Sequence, residues 1–300
     1  MRRNSTLMPA LRFLQEKYKY LGFLDRLLRP FFNKQGDIGL LCILAPPRSG
    51  STLTYQVLSS AFCGYSLRNI SNFLYATPVI GYLATKKLCG SYESTFCSNH
   101  GFVPGLCGEA EGLKFWQHWL GQGLEQNSAL HKPGKLRELQ HALDRTGENL
   151  MVTGYLGHVF AISVLRKIFS KVLFIHLQRD ILSNSYSLLK LTPDLAPFSA
   201  CPARVKSTRY NSRHRLVVDQ VKGIHEIISA EYDYDMLKIN YEDLCDDTRG
   251  TLSRIEQKAG ELGITLCRKA DVPDSFPKQV VEPDHDEDSA RLNRIILKDG

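Results

Sequence analysis

The sequence predicts an α/β fold of three layers, with helices on both faces of a central parallel sheet, and three observations carry that prediction. Two short runs dominated by apolar residues, 40–44 and 171–177, are too continuous for half-exposed strands and read as strands buried on both faces. Segments of ten or more residues with helical spacing stand between the strand candidates, the pattern of βα units rather than of hairpins. Each run also ends in turn and helix-start residues, Pro46-Pro47-Arg48-Ser49-Gly50 after the first and Arg179-Asp180 after the second.

Taken in order, Pro9 suits the first turn of a helix, and Leu7, Leu11, Leu14, Tyr18, Leu21, Leu28 and Phe32 recur at three- and four-residue steps until Gly36 stops it. Residues 1–36 are therefore expected to be an N-terminal amphipathic helical segment, and residues 37–300 a single domain. The basic back of this segment leaves two roles open for residues 9–32: covering the core, or contacting a membrane surface or a partner. After the first strand comes a helix at 51–62. Residues 64–108, rich in Gly, Ser, Asn and aromatics, read as loops and short helices. Helices follow at 109–121 and 134–145, a strand at 150–152, a helix ending at Phe169, and the strand at 171–177. A helix at 181–191, a Pro- and Arg-rich loop, a helix at 213–230, a strand at 236–239 and a helix at 248–262 complete the pattern. The tail carries an acidic patch, Glu282, Asp284, Asp286, Glu287 and Asp288.

A chain of 300 residues with 43% hydrophobic residues supports one sizeable core. The formal net charge of +7 is concentrated, because residues 1–36 hold eight Lys/Arg against only Glu16 and Asp25. The nearly neutral remainder argues against a nucleic-acid binder and favours discrete anion sites. Eight cysteines occur without a Cys-x-x-Cys pair. No apolar run reaches the roughly 18–20 residues of a bilayer span, and no signal-peptide pattern opens the chain. The expectation is reduced, mostly buried thiols in a soluble, cytoplasmic protein, with homo-oligomerisation left open.

The chemistry gathers after the two central strands. A buried strand that feeds Pro46-Pro47-Arg48-Ser49-Gly50-Ser51-Thr52 presents free N–H groups, a positive dipole end and hydroxyls to one point, which suits a phosphate or sulfate. The loop lacks the second upstream glycine and the lysine of Gly-x4-Gly-Lys-Ser/Thr; Ser51 stands in the lysine's place. Arg179 lies at the carboxyl edge of the second strand, where ligands of open α/β sheets collect. Ser187 sits two helical turns further on, so guanidinium and hydroxyl are placed to grip one anion, although Asp180 offers Arg179 a competing carboxylate.

Together the two loops resemble the sulfotransferase family. The first looks like its 5′-phosphosulfate loop, a P-loop-like turn, and Arg179 with Ser187 looks like its 3′-phosphate site behind a Phe-Ile-His-Leu-x-Arg-Asp strand. Tyr241-Glu242-Asp243-Leu244 is similar to a third family segment on the adenine side. The resemblance spans residues 38–262. It implies transfer of a sulfuryl group from 3′-phosphoadenosine 5′-phosphosulfate (PAPS) to a hydroxyl or amine of a carbohydrate or small hydroxylated metabolite, with no metal. Arg48 would steady charge on the leaving 5′-phosphate, and residues Ser49, Gly50, Ser51 and Thr52 would hold that phosphate. Glu111 matches the Glu-containing base of bacterial members, with Glu109 as the alternative. Many members carry a lysine where Thr153-Gly154-Tyr155-Leu156-Gly157-His158 has none; His158 is a candidate substitute or a structural histidine, and His176, inside a strand, reads as core. The stretch from Arg204 to Arg215, with five Lys/Arg and no acid, is a candidate to close over the nucleotide, to recruit an anionic acceptor, or to be a solvated loop. Two rivals remain: a divergent P-loop kinase or NTPase, and a non-catalytic nucleotide-binding protein of the same fold.

Overall fold

The computed structural model describes residues 22–28, 31, 36–121, 123–126, 132–192 and 194–298. Five parallel strands form one sheet: β1 (Gly39–Leu44), β2 (Tyr65–Ser66), β3 (Leu150–Thr153), β4 (Val172–Gln178) and β5 (Met236–Asn240), in the spatial order β2-β3-β1-β4-β5. β1 is buried along its whole length between β3 and β4, which is why its sequence is apolar without alternation. The register sets Leu44 of β1 beside His176 of β4, and Gln178 of β4 beside Asn240 of β5. The chain builds one side of β1 through β2 and β3 and then crosses to β4. This reversal of strand order opens a crevice at the carboxyl ends of β1 and β4.

The helices are α1 (Gly22–Leu28), α2 (Ser51–Ala61), α3 (Asn69–Phe73), α4 (Pro78–Leu88), α5 (Leu113–Trp119), α6 (Pro133–Asp144), α7 (Ile162–Ile168), α8 (Ile181–Leu189), α9 (Arg213–Ala230), α10 (Tyr241–Asp246), α11 (Thr248–Glu261) and α12 (Glu287–Lys298). A main core packs both faces of the sheet, with Leu40, Ile43, Phe174 and Tyr55 buried. A second apolar cluster joins α8, α9 and α12 through Leu188, Leu216, Val221 and Leu292.

Several expected boundaries move for local reasons. The helix expected from 109 begins at Leu113, because Gly112 adopts a left-handed φ of 80° and interrupts the backbone there. The helix expected to run to Phe169 is a 3-10 turn (Leu156–Phe160) followed by α7, broken at Ala161. The short strand β2, α10 and α12 were not expected. For α12 the signal was present in the acidic first turn, Glu287 and Asp288, ahead of Leu292, Ile295 and Ile296. Residues 1–21, 29–30 and 32–35 of the expected N-terminal helical segment lie outside the described residues, whereas α1 and residues 31 and 36 fall among them. There the buried residue is Asp25, whose carboxylate accepts the N–H groups of Val79 and Ile80 at the start of α4, while Phe23, Leu24 and Leu27 stay exposed.

The cysteine expectation is corrected. Cys89 and Cys107 form a disulfide, and of the free thiols Cys42, Cys201 and Cys245 are buried whereas Cys63, Cys97 and Cys267 are exposed. Among the described residues no helix is long and apolar enough to cross a membrane.

Candidate active site

The β1–α2 loop is shaped by two left-handed residues, Arg48 (φ 66°) and Gly50 (φ 92°). Gly50 is required twice over, since a Cβ there would also lie 2.2 Å from the Tyr241 ring. Gly50 occupies the N-cap of α2 and supplies no side-chain cap, so the N–H groups of the helix's first turn are not satisfied by a cap from the protein. At α8 the opposite holds: Asp180 accepts the N–H of Ser183 at 2.7 Å and closes that helix start. The two expected anion sites therefore offer different donors, backbone N–H groups at α2 and side chains at α8.

Because β1 and β4 are paired, Arg179 reaches the first loop although 131 residues separate it from Arg48. Its guanidinium donates to the carbonyl of Arg48 at 2.9 Å and to that of Gln279 at 2.6 Å, and lies 5.0 Å from the centroid of the Tyr241 ring. Asp180 caps α8 rather than pairing with Arg179. Arg179 Nε is buried with no hydrogen-bond partner, as is the hydroxyl of Ser49 in the loop. Arg48 Nε donates to the hydroxyl of Ser187 at 3.2 Å. Burial, and then the charge of Arg179, lower the pKa of Arg48, while Glu111 and Tyr241 oppose that shift. Two guanidiniums bonded to neutral oxygens leave positive charge directed into the crevice, which an anion would relieve. Asn184 secures the loop from below through a 2.7 Å bond to the carbonyl of Pro47.

Glu109 and Glu111 part company. Glu109 is buried, held 2.6 Å from Arg68 and accepting the Tyr92 hydroxyl at 3.0 Å. Its charge is met within the protein by Arg68. Glu111 instead faces the crevice, accepts the Thr52 hydroxyl at 3.4 Å, and has its pKa pushed up to about 7 by burial, against the opposing pull of Thr52 and Arg48. His158 is fully buried, with Nδ1 3.3 Å from the Cys42 sulfur and its ring edge-on to Trp116; burial lowers its pKa to about 3. It belongs to the core. His176 does as well, bonded to His225 at 2.8 Å.

A cavity of about 390 Å³ collects Arg48, Gly50, Ser51, Thr52, Glu111, Arg179, Ser187 and Tyr241. Ser49 is buried beneath it. The basic stretch stays outside: Arg213 donates to the carbonyls of Leu189 and Thr192 at the end of α8, and Arg204 and Arg209 face a separate surface hollow. The sequence points to residues 64–108 and 192–215 as pocket walls without singling out a residue. The opposite wall is built by Phe96, Ser98, His100, Phe198 and Ser199 from those segments and by Phe276 and Gln279 from one that was not expected. Its backbone gives a signal that one-dimensional patterns do not carry. Among the described residues, the non-glycine positions with positive φ are Arg48, Phe96, His100 and Ser199, and all four line this cavity. Left-handed backbone at bulky residues costs about 1–3 kcal/mol each and gathers where a ligand must be met. Among the described residues, no cluster of three His, Cys, Asp or Glu side chains is placed to hold a metal ion.

No curated protein matches the sequence. Among solved structures, the chain is similar to sulfotransferase STF1 from Mycobacterium tuberculosis H37Rv, at 13% identity over 80% of this chain and 72% of that one, with a TM-score of 0.49. It is also similar to sulfotransferase STF9 from Mycobacterium avium (16% identity, 87% and 68% covered, TM-score 0.45) and to the sulfotransferase domain of the Synechococcus PCC 7002 olefin synthase (14% identity, 76% and 75% covered, TM-score 0.39). These likenesses are distant. The assignment rests on the sequence profile described as Sulfotransferase family, which matches residues 41–261. That span runs from β1 into the last turn of α11 and includes both arginine loops, Glu111 and Tyr241, so the chain belongs to the sulfotransferase family.

Proposed function

We propose that the cleft binds PAPS and that the protein transfers the sulfuryl group to a hydroxyl or amine of a carbohydrate or small hydroxylated metabolite. The observation that supports this reading is the convergence of the β1–α2 loop, the pair Arg179 and Ser187, and one ionisable carboxyl group on a single cavity. The nucleotide has phosphates at both ends, and the site has donors at both ends. The unpartnered Arg179 Nε and Ser49 hydroxyl, and the uncapped start of α2, fit that requirement.

When bound, the donor supplies an electrophilic sulfur attached to a phosphate leaving group. The first-turn N–H groups of α2, with Ser51 and Thr52, are suited to hold the 5′-phosphate. Arg179 and Ser187 suit the 3′-phosphate, and the Tyr241 ring walls the adenine side. Arg48 joins the two halves through Ser187 and offers positive charge where negative charge grows on the leaving oxygen. Glu111 takes the acceptor's proton at a carboxylate oxygen, and a pKa near neutrality makes it an effective base at physiological pH. The strained wall of Phe96, His100 and Ser199 is the surface on which an acceptor would be selected.

The test is a thermal shift with 3′-phosphoadenosine 5′-phosphate against ATP-Mg. Ligand at about a hundredfold over its Kd stabilises by roughly 2.7 kcal/mol, a readable rise in Tm. Stabilisation by ATP-Mg alone would overturn the reading in favour of a kinase or NTPase. The Cys89–Cys107 bridge favours an oxidising compartment over the cytoplasm expected from sequence. Exposed Phe23, Leu24 and Leu27 on α1 support a membrane or partner contact through residues 9–32.

A further inference from the structure

The chain that follows α11, residues 262–286, contains no helix or strand, yet it walls the cleft through Phe276, Pro277 and Gln279. It is a strap fastened at separated points: Phe276 N–H donates to the carbonyl of Cys245 at 2.8 Å, and Val281 N–H to the hydroxyl of Ser183 at 3.0 Å. At its start it runs antiparallel to the residues that leave α2. Phe62 pairs with Arg268, Lys269 N–H donates to Ala61 O at 2.8 Å, and Cys63 N–H donates to Cys267 O at 2.8 Å. Cys63 and Cys267 therefore stand directly across from each other. Both are exposed, and both thiols turn toward the same carbonyl, that of Arg268, at 3.9 Å from Cys63 Sγ and 3.7 Å from Cys267 Sγ. Residues opposed on antiparallel segments have Cα atoms about 4.5–5.5 Å apart, inside the roughly 4.4–6.8 Å window of a disulfide.

We propose that Cys63 and Cys267 are a second disulfide site, which ties the strap to the end of α2. The bond stands on its own geometry and does not depend on the PAPS reading. The oxidant is a small disulfide such as oxidised glutathione. One cysteine thiolate attacks it, forming a mixed disulfide and releasing one glutathione thiolate; the second cysteine thiolate then attacks the protein sulfur of that mixed disulfide and releases the other. The two cysteines are oxidised by two electrons, the glutathione disulfide is reduced to two thiols, and the two cysteine protons end on those thiols. The Cys89–Cys107 bridge shows the same chemistry in the neighbouring segment, where it closes the loop that carries Phe96, Ser98 and His100, the Phe96 ring lying 5.2 Å from that of Phe276. Oxidation would thus brace both of the irregular segments that meet in this wall of the cleft.

The experiment uses the full chain equilibrated with oxidised glutathione, alkylated without reduction and mapped by peptide mass spectrometry. The expected result is a Cys63–Cys267 linked peptide alongside the Cys89–Cys107 one. The oxidised wild type should melt about 5 °C above Cys267→Ser, and amide exchange across residues 268–281 should slow at least about tenfold relative to that variant. Should Cys267→Ser not fold, Cys63→Ser or the dithiothreitol-reduced wild type provides the comparison. Full alkylation of Cys63 and Cys267, with or without the other bridge, overturns the proposal, and so does linkage of either cysteine to Cys97.

Discussion

Replacing Glu111 by Gln should make the protein less active and more stable at the same time. Burial raises the carboxyl pKa from 4.5 to about 7. Between those values the folded state holds more protons than the unfolded chain, so the contribution of this group to stability is complete below about pH 4.5, falls as pH rises to about 7, and stays low above it. At about 1.4 kcal/mol per pH unit the gap comes to roughly 3 kcal/mol, or about 2 once partial exposure is discounted. Gln does not titrate and retains an oxygen for the Thr52 hydroxyl. Glu111→Gln should therefore gain about 2 kcal/mol near pH 8, a Tm rise of about 4 °C, with the advantage vanishing near pH 4. Sulfuryl transfer should fall at least about a hundredfold, and the rise of kcat/KM with pH through about 7 should disappear from the profile. Paired denaturation and initial-rate measurements across pH decide the matter. Activity within about tenfold of wild type, or a loss of stability near pH 8, would refute the argument, because a structural carboxylate such as Glu109 destabilises when neutralised.

Three further perturbations test the rest of the site. Gly50→Ala should destabilise by about 1–3 kcal/mol in thermal melts and weaken 3′-phosphoadenosine 5′-phosphate binding, since its Cβ meets the Tyr241 ring and a left-handed φ is forced on alanine. Arg48→Lys should lower kcat by about a hundredfold or more with a smaller change in product-nucleotide Kd by calorimetry, because a point charge replaces a fork that reaches Ser187 and the leaving oxygen. Arg68→Ala should cost about 3–5 kcal/mol in chemical denaturation by leaving Glu109 buried and unpaired, and Arg68→Ala/Glu109→Gln should recover much of that loss.

How far the site was readable depended on whether each residue sits at a feature with a local pattern. Arg48, Gly50 and Arg179 follow apolar runs and announce themselves as strand ends. Glu111 and Glu109 are two residues apart and equivalent as text; only Arg68, brought across by the bridge between residues 68 and 109, separates them. The wall of Phe96, His100, Ser199 and Phe276 has no periodicity, because irregular chain is specified by contacts with the body it lies on. The cysteines misled for the same reason: their spacing carries no information about Cys89 meeting Cys107.

Most of the order of strands and helices, the parallel sheet and the two loops that follow β1 and β4 are properties of the sequence itself, since each depends on side-chain period, turn residues and helix starts within a short window. What the tertiary structure alone decided is adjacency. Pairing of β1 with β4, and of β4 with β5, turns Arg48, Arg179 and Tyr241, which are far apart along the chain, into one surface. Strand pairing is a long-range choice fixed by burial of the whole sheet, and no local window contains the energy that makes it.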